Sequence, residues 1–141
     1  MEPKPVSPNV WVSGQIQPDD VAKLKELGFR GIICNRPDGE TEGQPDWASV
    51  RAAAEQAGLG AASVPVQRGA ISDADGVAFR AVVTAFEKPV LAYCGSGARS
   101  AALWALAARD RLSADEVIRM AATAGYDLET MRTRLEQGAP Q

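Results

Sequence analysis

A cysteine in a turn between two apolar segments constrains the fold of this chain more than any other feature. Residues 89–93 (PVLAY) form a short apolar run, and residues 101–108 (AALWALAA) are almost wholly apolar. Between them lie Cys94, two glycines, Arg99 and two serines. A short apolar run, a glycine-containing break and a longer apolar run are typical of a buried strand followed by a buried helix. The sequence therefore predicts a strand, a tight turn that begins at Cys94, and a helix.

The predicted turn has the composition of an anion-binding site. A turn from a strand into a helix directs the first backbone N–H groups of the helix into one small space, at the positive end of the helix dipole. Gly95 and Gly97 allow the positive φ angles with which successive N–H groups converge. Arg99 adds a planar cation that can bind an oxyanion through two hydrogen bonds. Ser100 can cap the helix or donate its hydroxyl to a thiolate.

These features predict that Cys94 is a reactive thiolate. Helix N-termini and neighbouring cations lower the pKa of a thiol from about 8.5 to roughly 3.5–7.5. A lone cysteine at the end of a strand is more often a core residue, but here the thiol coincides with glycines, an arginine and a serine. We expect Cys94 and Arg99 to be catalytic. We expect the rest of the turn to bind substrate or an anion: Gly95, Ser96, Gly97, Ala98 and Ser100.

The absence of histidine from the 141 residues limits the chemistry of this thiol. It excludes Ser-His-Asp and Cys-His catalysis within the chain, and it excludes zinc sites built on histidine. The two cysteines, Cys34 and Cys94, are too few for a disulfide scaffold and make a poor metal site. We therefore predict no metal and no cofactor, and a thiol that is activated by backbone dipoles and arginine.

Short strands alternate with amphipathic helices along the chain. This order predicts an α/β fold with a small, mostly parallel central sheet flanked by helices. A length of 141 residues fits one domain, which we place at residues 1–141 with a core of about residues 9–137. The predicted strands lie at residues 10–12, 31–34, 62–66 and 89–93. Predicted helices begin at Pro18, near Trp47, at the capping boxes 72–75 and 113–116, within the buried run 101–108, and at Asp127.

Ligands bind beyond the carboxyl ends of the strands in such sheets, so residues at these ends are candidates for the site. Cys34, Gln67 and Cys94 lie at or just past strand ends. Residues that could line the site are Arg36, Asp38, Gln67 and Arg68. Residues 37–39 (PDG) either belong to the lining of the site or form a turn for purely local reasons, and both interpretations stay open. Cys34 is either a core residue or a resolving thiol for Cys94.

The charge and hydropathy of the chain bear on its partners and location. The net charge is −3 and the pI is about 5.0, which favours neither nucleic acid nor a membrane surface as a partner. No segment approaches the roughly 20 apolar residues that span a bilayer. The first residues (MEPKP) lack the apolar region of a signal peptide. We expect a cytoplasmic protein.

The chain resembles the bacterial BLH (beta-lactamase-hydrolase-like) phosphatase-like family. The resemblance lies in residues 12–15 (VSGQ), in residues 35–45 (NRPDGETEGQP), and in residues 89–106, which contain the cysteine turn. These stretches have the order and spacing of the family and together cover about residues 10–108. The resemblance implies a fold like that of dual-specificity protein tyrosine phosphatases. It also implies that Cys94 is the nucleophile and that Arg99 binds the anion.

Several residues depart from the tyrosine phosphatase pattern, in which a His-Cys pair is followed by five residues and an arginine. Tyr93 replaces the histidine, and only four residues separate Cys94 from Arg99. The loop of residues 67–70 (QRGA) lacks the acidic residue that such phosphatases carry there, and proton donation typically contributes about 10²–10⁴-fold to the rate. Gly95 stands where the family commonly has an arginine.

A cysteine and an arginine separated by four residues resemble instead the loop of single-domain rhodaneses. This resemblance predicts a sulfurtransferase that takes sulfane sulfur from thiosulfate or a small persulfide onto Cys94 and passes it to a thiol, cyanide or sulfite. Fusion of some family members to a persulfide dioxygenase implies a functional link to such an enzyme. One alternative is a phosphatase that forms a phosphocysteine on Cys94, with Asp38 as the acid. Another is a non-catalytic module that binds anions or senses oxidants through Cys34 and Cys94.

Overall fold

The computed structural model describes residues 1–138, and residues 139–141 lie outside the described part. The strands are β1 (Lys4–Pro5), β2 (Val10–Ser13), β3 (Gly31–Cys34), β4 (Gly60–Ser63) and β5 (Val90–Tyr93). The α-helices are α1 (Asp20–Glu26), α2 (Trp47–Gln56), α3 (Asp73–Ala85), α4 (Ala98–Ala108), α5 (Ala114–Thr123) and α6 (Arg132–Glu136). A 3₁₀ turn, Glu129–Met131, precedes α6.

The five strands form one sheet in the order β1-β2-β5-β3-β4. All neighbouring pairs are parallel except β1 and β2. The last strand of the chain, β5, therefore lies at the centre, with Tyr93 in register with Ser13 on one side and Cys34 on the other. This arrangement confirms the predicted α/β fold. It also places the loops that follow β2, β3, β4 and β5 at one edge of the sheet.

Helices cover both faces of the sheet because the strands alternate their side chains between two apolar clusters. Ile32 and Leu91 belong to the cluster beneath α1 and α2, whereas Ile33 and Ala92 belong to the cluster beneath α3, α4 and α5. Helix α4 is buried along its whole length from residue 99 to residue 108. Burial on all sides explains why residues 101–108 contain no polar stripe.

The predicted capping boxes are present at two helix starts. The hydroxyl of Ser72 accepts the N–H of Asp75 while the Asp75 carboxylate accepts the N–H of Ser72, and Ser113 and Glu116 form the same pair at α5. Each box satisfies two of the N–H groups that a helix start leaves without an intrahelical partner. These local hydrogen bonds account for the accurate prediction of both helix starts.

Three parts of the chain differ from the sequence-based expectation. The proline-rich N-terminal arm contributes β1, an edge strand, where a missing N–H is tolerated. The strand predicted at residues 62–66, the third of the prediction, is β4 at Gly60–Ser63. Beyond it, the N–H groups of Val64 and Val66 donate single hydrogen bonds to the carbonyls of Cys34 and Asn35. The last segment begins with the 3₁₀ turn, and α6 is only five residues long. No helix among residues 1–138 has the length and hydropathy to cross a membrane.

Candidate functional site

The loop that joins β5 to α4 brings a thiol to the carboxyl edge of the sheet. We call residues 94–100 the Cys94 loop. Cys94 follows the last residue of β5, and Gly97, with φ of +94°, is the N-cap residue of α4. A side chain at position 97 would adopt a strained left-handed conformation and would collide with the hydroxyl of Tyr126. Glycine at this position therefore sets the path of the loop into the helix.

The thiol of Cys94 is buried and surrounded by hydrogen-bond donors. Cys94 is 1% exposed, and the N–H of Gly97 donates to its Sγ over 3.0 Å. Burial raises the pKa of the Cys94 thiol, but hydrogen bonds from the backbone N–H groups of Ser100, Ser96, Arg99 and Gly97 outweigh it and bring the pKa below the ordinary value. The start of α4 thus favours the thiolate form, as the sequence predicted.

Neighbouring segments hold the Cys94 loop from both sides. Ser13, at the end of β2, accepts the N–H of Cys94 over 3.3 Å. The next residue, Gly14, lies so close that a Cβ there would be 2.9 Å from the carbonyl oxygen of Gly95. From the other side, the hydroxyl of Tyr126 donates to the carbonyl of Ser96 over 3.2 Å. The loop is therefore fixed by β2 and by the turn after α5.

The side chain of Ser100 has neither of the predicted roles. Its hydroxyl donates to Oδ1 of Asn35 over 2.8 Å, and Ser100 is 0% exposed. Nδ2 of Asn35 in turn donates to the carbonyl of Val64 over 3.0 Å. These hydrogen bonds connect the first turn of α4 to the ends of β3 and β4. Ser100 contributes to the thiolate through its backbone N–H, and its hydroxyl holds the sheet edge together.

A carboxylate shared by two arginines lies beside the Cys94 loop. Glu40 accepts two hydrogen bonds from Arg99, each of 2.8 Å, and a third of 2.8 Å from Nε of Arg36. Both arginine side chains are at least nine-tenths buried, and the Glu40 side chain is 23% exposed. The hydrogen bonds from Arg99 contribute most to lowering the pKa of Glu40 to about 2. Glu40 is therefore ionised throughout the physiological range and fixes both cations.

Arg99 retains donors that Glu40 does not use. Its Nη1 donates to Glu40 and to the carbonyl of Val66, and its Nη2 donates once to Glu40. A guanidinium carries five N–H donors, so Nε–H and one Nη2–H remain. These two donors lie on the same edge of the planar group, an arrangement that suits two oxygens of one oxyanion. Arg99 is thus oriented by one anion and able to bind another.

Three guanidinium groups surround the space above Gly95. A Cβ on this glycine would lie 3.4 Å from Nη2 of Arg99, 3.5 Å from Nη2 of Arg68 and 3.7 Å from Nε of Arg36. The predicted cations Arg36, Arg68 and Arg99 are therefore brought together. Beside them opens a groove of about 650 Å³, lined by the glycine itself, by Tyr126 and by residues of the N-terminal arm.

Other predicted site residues have different surroundings. Oδ1 of Asp38 accepts the N–H of Trp47 at the start of α2, and Gln67 is exposed in the loop after β4. Cys34 is buried in the cluster beneath α1 and α2, where its Sγ donates to the carbonyl of Arg36 over 3.3 Å. Both cysteines are free thiols. Asp38 and Cys34 thus have structural partners of their own.

Glu40 and Tyr126 are the site residues that the sequence analysis missed. Glu40 was part of the motif 35–40, where an acid four residues after Arg36 was the available signal, and the structure pairs the two in a turn rather than on a helix. Tyr126 reaches the Cys94 loop from 30 residues away, in the turn after α5. No local pattern marks a residue whose role depends on a contact of that range.

Replacing Glu40 with glutamine is expected to lower the free energy of unfolding by about 2 kcal/mol at neutral pH. Removing one partner of a fully buried ion pair costs about 3–5 kcal/mol, and partial exposure of Glu40 reduces that figure. Because the pKa of Glu40 is about 2 in the folded protein and about 4.5 when unfolded, its contribution is complete above about pH 4.5. It is lost as the pH falls towards 2. Urea unfolding of both proteins across this range should show their difference shrink below about pH 4.5.

The matched control for this prediction is Glu87→Gln. Glu87 pairs with Arg30 over 2.9 Å, but its side chain is 78% exposed, and exposed pairs contribute only about 0–1 kcal/mol. A loss of stability as large in Glu87→Gln as in Glu40→Gln would contradict the role assigned to Glu40.

Comparison with known proteins associates this site with phosphatases. Residues 3–111 match the family model described as beta-lactamase hydrolase-like protein, phosphatase-like domain. A beta-lactamase hydrolase-like protein of Xylella fastidiosa is 37% identical over 138 residues, which are 96% of this chain and 32% of that protein. The chain therefore spans about a third of the length of the curated relatives it matches.

Solved structures also associate the chain with phosphatases. A candidate phosphatase from Neisseria meningitidis is 39% identical, with a TM-score of 0.83, and the match covers 95% of this chain and 96% of that one. The structure named Tk-PTP, in its active form, is 18% identical with a TM-score of 0.71 and covers 96% of both chains, which shows a shared fold. The fold is thus that of the tyrosine and dual-specificity phosphatases, as the resemblance implied.

The predicted sulfurtransferase activity is wrong. The matching family model is a phosphatase-like domain, and the solved structure at 39% identity is a candidate phosphatase. The prediction depended on the number of residues between Cys94 and Arg99. The structure shows that this shorter loop still directs the N–H of Gly97 to the thiol and places guanidinium donors beside it. Such donors suit phosphoryl oxygens as well as they suit a sulfur anion.

Proposed function

The chain belongs to the family of beta-lactamase hydrolase-like phosphatase-like domains, and from that premise we propose that it is a phosphatase that forms a phosphocysteine on Cys94. One observation supports this proposal above the others. The start of α4 lowers the pKa of the Cys94 thiol at the place where Arg99 has two donors that neither Glu40 nor Val66 accepts. A nucleophile and a binding group for the phosphoryl oxygens thus lie side by side.

Binding of the phosphoryl group uses the positive charge around the Cys94 loop. Nε–H and Nη2–H of Arg99 donate to two of its oxygens, and Glu40 keeps the guanidinium in the required plane. The dipole of α4 and the backbone N–H groups of the loop stabilise the remaining negative charge. As these donors are already oriented in the folded protein, little reorganisation accompanies the reaction.

The first chemical step is an in-line displacement at phosphorus. The Cys94 thiolate attacks, the S–P bond forms, and the bond between phosphorus and the leaving oxygen breaks with both electrons going to that oxygen. In the second step, water attacks phosphorus and gives up a proton to solvent, inorganic phosphate departs, and the S–P electrons return to Sγ. The thiolate is regenerated, so the cycle consumes one water for each phosphate released.

Trapping of the covalent intermediate tests the proposed function. The protein is mixed with p-nitrophenyl phosphate, quenched in acid after a few milliseconds to seconds, and its intact mass is measured. We expect a mass increase of one phosphoryl group on wild type, mapped by peptide analysis to Cys94, and release of nitrophenolate over many turnovers. The Cys94→Ala variant is the matched control and should show neither. Turnover without phosphate on Cys94, or no turnover at all, would overturn the proposal.

A further inference from the structure

From the charged groups around Cys94 we infer that the site acts on phosphoryl compounds whose leaving group departs as an anion, such as phosphoanhydrides, acyl phosphates and phosphates of acidic phenols, and that Arg68 stabilises this leaving group. The inference rests on the proposed phosphatase function and adds the class of substrate. Phosphate esters of ordinary alcohols, such as phosphoserine, are excluded, because their leaving groups need a proton.

The carboxyl groups close to the Cys94 loop are not suited to donate that proton. Glu40 is held as a carboxylate by three hydrogen bonds from Arg36 and Arg99, and its low pKa keeps it ionised. Asp38 accepts the N–H of Trp47 at the start of α2. The loop after β4, residues 67–70, consists of glutamine, arginine, glycine and alanine. The acid that an alcohol leaving group would require is therefore not supplied by these residues.

Glu2 also lines the groove beside Gly95, but its side chain is 84% exposed and pairs with Lys4 over 3.9 Å. Tyr126 is a further proton-bearing group beside the loop, and its geometry also argues against this role. Its hydroxyl donates to the carbonyl of Ser96, so the proton already has a partner. Burial, together with the negative charge of Cys94, raises the pKa of Tyr126 above its ordinary value of about 10. A phenol that holds its proton so firmly is a poor acid for a leaving group near neutral pH. Tyr126 instead positions the loop.

Arg68 differs from the two other arginines in its exposure and in its hydrogen bonding. Within residues 1–138, Arg36 and Arg99 make several hydrogen bonds each, whereas the side chain of Arg68 makes no hydrogen bond or ion pair. Nevertheless its Nη2 lies 3.5 Å from the Cβ position of Gly95, and Arg68 itself is exposed. Its charge is therefore available to a group that extends from the buried thiol towards solvent.

These positions suggest how the first step proceeds without an acid. As the Cys94 thiolate forms the S–P bond, the bond from phosphorus to the leaving oxygen breaks, and both electrons stay on that oxygen. The leaving group departs as acetate, phosphate or phenolate, with Arg68 opposite its developing charge. No proton moves in this step, so the balance is complete with the thiolate and substrate alone. The later attack by water on the phosphocysteine is unchanged.

Comparison of donors that differ only in the leaving group tests the substrate class. Values of kcat/KM are measured with acetyl phosphate, pyrophosphate, a series of substituted phenyl phosphates and a phosphoserine peptide. Within the phenyl series we expect kcat/KM to fall on the order of 10²-fold or more from p-nitrophenyl to unsubstituted phenyl phosphate. An acid that protonated the leaving oxygen would compensate for a fall of this size, and such an acid is missing here. Hydrolysis of phosphoserine or phenyl phosphate as fast as p-nitrophenyl phosphate would overturn the inference.

Variants at position 68 test the role of the arginine. Arg68→Gln is expected to lower kcat/KM for pyrophosphate about tenfold or more, less than a fully buried donor contributes because Arg68 is exposed. The loss with p-nitrophenyl phosphate should be smaller, about threefold or less, since the charge of nitrophenolate spreads into its ring. Arg68→Lys should recover most of the rate, and Arg51→Gln, which removes an exposed cation of α2, should change nothing. Equal losses with both donors in Arg68→Gln would overturn the assigned role.

The same samples separate failure of this inference from failure of the proposed function. Phosphate on Cys94 in acid-quenched samples, combined with a flat dependence on the leaving group, would refute the substrate class and leave the phosphatase intact. Absence of phosphate on Cys94 with every donor would refute the phosphatase, and the substrate class with it.

Discussion

Replacing Cys94 with serine should lower kcat for phosphate release by on the order of 10⁴-fold or more, as loss of a covalent nucleophile does in other hydrolases. The four backbone N–H groups that favour a thiolate cannot ionise a hydroxyl, whose pKa is far higher. In the wild type, kcat/KM should rise with pH along a titration curve whose midpoint lies below that of an ordinary thiol, because the pKa of Cys94 is lowered. Steady-state kinetics with p-nitrophenyl phosphate between pH 5 and 9 measure both effects.

The second cysteine provides the matched control for that result. Cys34 is equally buried, and a serine there can still donate to the carbonyl of Arg36. We expect Cys34→Ser to retain most of the activity and its pH profile. Comparable losses in Cys34→Ser and Cys94→Ser, with both proteins folded by circular dichroism, would contradict the assignment of Cys94 as the nucleophile. Inhibition by mild oxidants with a disulfide between the two would support the redox-sensing hypothesis.

The second large effect is expected for Arg99. Arg99→Lys should reduce kcat/KM by about 10²–10³-fold, although the positive charge is kept, and Arg99→Ala should reduce it further. An ammonium group cannot bind Glu40 through two hydrogen bonds and at the same time present two coplanar donors to the phosphoryl oxygens. Competition with vanadate or inorganic phosphate, measured as an inhibition constant, should weaken in parallel.

An arginine on α2 that has a carboxylate partner of its own serves as the control. Arg51 pairs with Glu55 within α2, and both side chains are more than half exposed. Arg51→Lys should leave kcat/KM unchanged. If Arg99→Lys retained a rate within about threefold of wild type, the geometry of the guanidinium would not matter and the proposed binding mode would be wrong.

The sequence predicts those parts of the site that are local in the chain. The Cys94 loop could be read from its glycines, its arginine and the apolar runs beside it, because a helix N-terminus needs only neighbouring residues. Glu40 lies 59 residues from Arg99, and the hydrogen bonds between them form only once β3 and β5 are adjacent. The sequence also indicates the arginines 36, 68 and 99 as sources of positive charge for the site. That they converge on Gly95, and that Arg68 makes no hydrogen bond or ion pair within residues 1–138, required the structure.

The fold was more predictable than the chemistry for a physical reason. Two capping boxes, a fully apolar helix and short β-branched runs each favour one conformation by local energetics, and they agree with one another. The edge strands β1 and β4 were less predictable, since their position depends on pairing with one neighbour. The predicted reaction was wrong because of a single inference, in which the length of the Cys94 loop was taken to indicate sulfur transfer. Residue spacing constrains a backbone path, whereas the ligand depends on which donors remain free.

The position of β5 in the sheet has a consequence for the timing of the nucleophile during protein synthesis. Strand β2 pairs with β1 and β5, and β3 pairs with β4 and β5, so the sheet stays in two halves until residues 90–93 leave the ribosome. The N–H groups that ionise Cys94 belong to residues 96–100, which emerge later still. A nascent or truncated chain therefore carries an ordinary thiol, and the reactive one exists only after the two halves have closed around β5.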